Sequence, residues 1–124
     1  MRRRAFILLF LATVLLSSGC GNSSLAPVRG RVTCNGKPVP DAAVIFSPLP
    51  QSENDKESGK AGQGGTDADG RYVIGTYKQG DGALIGKHRV AVTLDNAVKS
   101  PCKSKVVVFE VKPGDNDFDI ELNK

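Results

Sequence analysis

The chain has 124 residues, three of them cysteine and none tryptophan, and carries 17 basic against 13 acidic side chains. The basic excess is local: Arg2, Arg3 and Arg4 supply three of the cations, and past them 14 stand against 13, so no basic stripe with interleaved aromatics is left to read a nucleic acid. The roughly 100 residues after the N-terminal segment suffice for one domain with a modest core of Val, Ile, Leu and Phe.

Residues 1–19 read as an export signal. Arg2–Arg4 form a positive region, Ala5–Leu16 an apolar run shorter than the roughly 20 residues that cross a bilayer, and Ser17-Ser18-Gly19-Cys20 a small-residue cleavage site. The cysteine after Ser-Ser-Gly resembles the lipobox of bacterial lipoproteins, although Ser17 stands where that pattern usually has Leu. The resemblance implies cleavage before a diacylglycerol-modified Cys20. Gly21, in place of Asp, then implies sorting to the outer membrane. Residues 20–26 are a short polar tether to a domain spanning 27–124.

Val28, Gly30, Val32 and Cys34 share one parity and Arg29, Arg31 and Thr33 the other, the period of a half-buried strand. Asn35-Gly36 suits a type I′ turn, with Ala42, Val44 and Phe46 expected as the returning strand. Pro38 and Pro40 belong at the hairpin mouth or on an edge, not inside a central ladder. Residues 48–65, rich in Gly and Ser, read as a loop, and Asp67-Ala68-Asp69-Gly70 as a turn before a strand over 71–76. Tyr77–Gly86 reads as a second loop. His88, Val90, Val92 and Leu94 define an inner face over 87–94. Lys105–Val111 is a β-branched run that suits burial on both faces. Phe118, Ile120 and Leu122 alternate with Asp117, Asp119 and Glu121 in the last strand. With a short strand over 64–66 the count is seven, with no helix past the signal.

The Val28–Thr33 run with Asn35-Gly-Lys-Pro-Val-Pro-Asp-Ala-Ala-Val44, Thr66-Asp-Ala-Asp-Gly-Arg-Tyr72 and Gly86-Lys-His-Arg-Val-Ala-Val92 together resemble the carboxypeptidase regulatory-like domain. That family belongs to the transthyretin-like β-sandwich group. The resemblance implies an all-β, seven-stranded Greek-key sandwich behind the N-terminal signal helix. It is specific for fold and poor for function, because such domains are mostly accessory modules.

Candidate chemistry is sparse. Asp67 and Asp69 have the alternate spacing that opens a calcium loop, yet no later ligand completes it, and a plain turn accounts for them. His88, the single histidine, lacks zinc partners and sits in parity with Val90 and Val92, as a half-buried strand histidine does. Arg29 and Arg31 with Lys87 and Arg89 are candidates for a cationic face. Alternating strand directions bring Cys34 and Cys102 to one pole, where a disulfide and two separate buried thiols both fit.

The expectation is a non-catalytic, lipid-anchored envelope protein with no cofactor. Its membrane contact is Cys20, and its partner is an envelope protein or a glycan, met by the loops 48–65 and 77–86 at one end of the sandwich. The alternative is an accessory subunit of an envelope hydrolase using His88, or a weak metal-binding domain.

Overall fold

The computed structural model describes residues 24–50, 59–95 and 100–124. The expected signal helix 1–19, Cys20, the tether up to residue 23 and loop positions 51–58 lie outside them. The described residues are all-β, with eleven strands: β1 (Leu25–Ala26), β2 (Val28–Cys34), β3 (Lys37–Pro38), β4 (Ala42–Pro48), β5 (Gly62–Gly65), β6 (Arg71–Val73), β7 (Ala83–Leu84), β8 (Gly86–Leu94), β9 (Lys105–Val111), β10 (Asn116–Asp117) and β11 (Ile120–Leu122).

One sheet has the order β5-β4-β8-β9, antiparallel throughout. A second is built around β2, which takes β6 and β3 antiparallel and β10 and β11 parallel, and β1 with β7 makes a small third. Alternation fixes which side of each strand is inward. Val28, Val32 and Cys34 of β2 meet Ala42, Val44 and Phe46 of β4 and His88, Val90 and Val92 of β8 in one buried interior. Full burial of a side chain such as Phe46 stabilises by about 2–3 kcal/mol.

The hairpin that the sequence suggests is shorter than expected. Asn35 and Gly36 do take positive φ, 52° and 79°, but β2 returns only as β3, pairing Cys34 with Lys37 and Thr33 with Pro38. Val39 turns inward, Asp41 adopts φ 56°, and the chain crosses to the opposite sheet, where β4 pairs with β5 and β8. The prolines explain the break, since Pro38 and Pro40 have no N–H with which to continue a ladder.

Three other expectations are corrected. Leu25 and Ala26, assigned to the tether, form a strand paired with Leu84 and Ala83. Lys105–Val111 is not buried on both faces: β9 ends its sheet, and Val106 and Val108 are 53% and 65% exposed. Phe118 is half-buried and breaks the last strand into β10 and β11, its ring stacked on Phe109 at 4.1 Å between centroids.

Candidate functional site

Where the two sheets approach along one side, β5 faces β6. The edges are joined by an isolated bridge between Gln63 and Gly75, with N–H···O distances of 2.9 and 3.0 Å in the two directions. The close approach requires glycine. A Cβ on Gly64 would stand 2.3 Å from the Val73 carbonyl oxygen, and one on Gly62 would stand 2.7 Å from Ile74 Cγ2. Toward the Asp67 turn lies an open groove of about 790 Å³, lined by Asp41, Gln63, Gly65, Thr66, Asp67, Arg71, Val73 and Gln79 among others.

The turn holds one wall of this groove. Asp67 Oδ1 accepts the amide N–H groups of Asp69 and Arg71, both at 2.9 Å, and Thr66 Oγ1 accepts the Ala42 amide at 2.8 Å. Asp67 and Asp69 therefore serve the turn. Among the described residues no group of three or more His, Cys, Asp or Glu is placed to hold a metal ion.

The other end of the groove is formed by the segment after Ile74, where the strand expected over 71–76 stops short, β6 ending at Val73, and runs into the loop expected over 77–86. Asp81 organises it. Its carboxylate accepts the amides of Thr76 at 2.6 Å, Lys78 at 2.9 Å and Tyr77 at 3.1 Å, and Thr76 Oγ1 donates to the Gly82 carbonyl. These amide bonds, the Thr76 bond foremost, hold the Asp81 carboxyl below the usual carboxylate range. Tyr77, 62% exposed, presents its ring beside this turn with the Lys60 ammonium 5.2 Å from the ring centroid. The described ends of the two expected contact loops thus meet.

On the outer face of the β2 sheet a second groove, of about 420 Å³, shares Arg71 and Val73 with the first. Arg29 is tied there to Asp117, Nε to Oδ1 at 3.0 Å. Arg29 and Arg31 belong to β2, whereas Lys87 and Arg89 belong to β8 in the opposite sheet, so the four do not share a single cationic face.

His88 is buried to 1% exposure, deeper than the half-buried site expected. Its Nε2–H donates to the Leu84 carbonyl at 2.6 Å, its ring lies 5.6 Å from that of Phe46, and Nδ1 has no hydrogen-bond partner among the described residues. It lines neither groove. The sulfurs of Cys34 and Cys102 lie 2.02 Å apart with 5.9 Å between Cα atoms, a disulfide at the pole opposite β1 and β7. The groove escapes sequence reasoning; the glycines at 62, 64 and 65 are its one available signal.

No family model matches the sequence, and a comparison with curated proteins finds no match. Solved structures do resemble it. Chlorocatechol 1,2-dioxygenase from Pseudomonas putida aligns with a TM-score of 0.51 at 11% identity, over 84% of this chain and 62% of that one. A DUF3823 family protein from Parabacteroides merdae gives 0.48 at 16% identity, over 78% and 45%. A protein from Pseudomonas aeruginosa provisionally named carbohydrate-binding gives 0.48 at 12%, over 81% and 88%. The chain spans less than two thirds of the first two proteins. At such identities the likeness to the dioxygenase concerns the β-sandwich fold alone.

Proposed function

We propose that the chain is a non-catalytic binding module of the bacterial cell envelope, anchored through a lipidated Cys20, and that it takes a glycan in the groove between β5 and β6. The observation that carries this reading is the groove itself: open, about 790 Å³, and walled by planar amide and guanidinium groups from Gln63, Gln79 and Arg71 over a floor of bare glycine backbone. Amides and guanidinium groups hydrogen-bond vicinal hydroxyls, as binding a sugar requires. The lipobox-like run ending at Cys20 supports the anchor, and the carboxypeptidase regulatory-like motifs support an accessory role in a transthyretin-like sandwich.

Screening the mature protein against immobilised envelope and plant polysaccharides tests the binding. The double substitution Gln63→Ala, Gln79→Ala is expected to weaken the captured glycan at least tenfold, since each lost hydrogen bond is worth about 1 kcal/mol. Undiminished binding by that variant would remove the groove from the proposal. Mass spectrometry of the membrane fraction tests the anchor, with a diacylated N-terminal Cys20 expected and an unmodified N-terminus past residue 20 counting against it.

A further inference from the structure

The outer face of the β2 sheet carries two charged rows. In the first, Val73, Arg29 and Asp117 lie side by side across β6, β2 and β10, and the Arg29 guanidinium is neutralised by Asp117. In the second, Arg71 lies directly opposite Arg31, with Asp119 on the far side of Arg31. Here the charges are arranged otherwise. The Asp119 carboxylate accepts the backbone N–H of Arg31 at 2.9 Å, not its guanidinium. Arg31 Nε instead donates to the Asp69 carbonyl at 2.8 Å, in the turn that leads into Arg71. Like charges directly opposite on adjacent strands are unfavourable, and this pair is held together where the neighbouring row shows the same fold able to neutralise an arginine.

We propose that Arg31 and Arg71 form an oxyanion subsite, and that the glycan of the main groove is acidic, with a carboxylate held between the two guanidinium forks. This rests on the glycan reading and deepens it. Arg71 lines both grooves, so a chain lying along β5 and β6 passes over its side chain onto the outer face. A guanidinium presents paired N–H donors that match the two oxygens of a carboxylate, and Val73, 55% exposed, offers apolar contact to the ring between.

The test is isothermal titration of the mature protein with an oligogalacturonate and with the neutral oligogalactoside of equal length. The acidic oligomer is expected to bind about tenfold more tightly, with the preference shrinking as salt is raised. Arg31→Gln should abolish the preference while leaving neutral binding intact, Arg71→Gln should weaken both, and Lys87→Gln, the same charge change on the opposite sheet, should leave the preference unaltered. Arg31→Lys, which keeps the charge and loses the fork, should retain only part of it and provides the measurement if Arg31→Gln does not fold. Equal affinity for the two oligomers, a preference that survives Arg31→Gln, or sulfate competing as well as the uronate oligomer would each overturn the acidic subsite. Binding of neither oligomer, with other neutral glycans still captured through Gln63 and Gln79, also sinks the acidic subsite and spares the underlying reading. Capture of no glycan at all removes both.

Discussion

Gly30 is the residue at which the β2 sheet tolerates least. Tyr72 crosses beneath it to donate its hydroxyl to the Phe118 carbonyl, and burial, with Asp119 adding, pushes that hydroxyl's pKa well up. A Cβ on Gly30 would stand 1.8 Å from that carbonyl oxygen and 2.8 Å from the Tyr72 hydroxyl. Gly30→Ala is expected to cost roughly 3 kcal/mol through overpacking and displacement of this hydrogen bond. Thermal unfolding should show it as a fall in Tm of at least about 10 °C, and an unchanged Tm would contradict the packing described. At the same scale, His88 belongs to the core. Its hydrogen bond to Leu84 fixes the start of β8 against β7, and strand parity alone is enough to place it on the inner face.

Among the elements, those with clean alternation are legible in the amino-acid sequence. β2, β4 and β8 each bury one face, and apolar residues at every second position record that directly. β1 and β7 are not legible, because a two-residue strand has no period, and their pairing depends on residues almost 60 positions apart. The direction in which β4 leaves the hairpin is hidden for a related reason: parity states which side is buried, not which sheet does the burying. The β9 valines mislead because β-branched residues favour strands whether or not both faces are covered. The segment from Tyr77 to Gly86 reads as a loop from its glycines, yet one carboxylate collecting the amides of Thr76, Tyr77 and Lys78 sets its shape. That has a pH consequence. Folding lowers the Asp81 pKa, so its contribution is present above the unfolded carboxylate value, near 4, and is lost as pH falls below it through the folded value. The protection of the Thr76, Tyr77 and Lys78 amides, taken as the observed exchange rate relative to the intrinsic rate at each pH, should fall on acidification through that window, and Asp81→Asn should remove the dependence. Protection insensitive to both would show that the carboxylate does not hold the turn.

For the whole molecule, the Cys34–Cys102 contact joins the end of β2 to the segment that leads into β9. In the chain-entropy account, closing a loop with ends 68 positions apart stabilises by about 4 kcal/mol, a large part of the margin of a domain this size. Thiol titration of the unfolded, unreduced mature protein is expected to find neither cysteine free, and reduction should lower the denaturation midpoint; two titratable thiols would exclude the bridge. The grooves also belong to this scale. Beyond the glycines at 62, 64 and 65 no local pattern announces them, since the Arg31–Arg71 pairing and the Gln63–Gly75 bridge exist only once distant segments are folded together.

The parallel pairing of β2 with β10 and β11 has a mechanical side. The first long strand and the last run in the same direction as neighbours, so tension applied between Val28 and Leu122 slides one along the other. Their hydrogen bonds are then loaded in shear, all at once, in place of the one-by-one opening of a strand peeled from its end. Resistance of this kind reflects the unfolding barrier more than the equilibrium stability. Once β2 slips, the bridge between Cys34 and Cys102 keeps the chain between them from paying out, and only the two flanking stretches lengthen, by at most about 3.6 Å per residue. A domain held at its N-terminal side and pulled through its C-terminal strand would yield as a short, stiff spring.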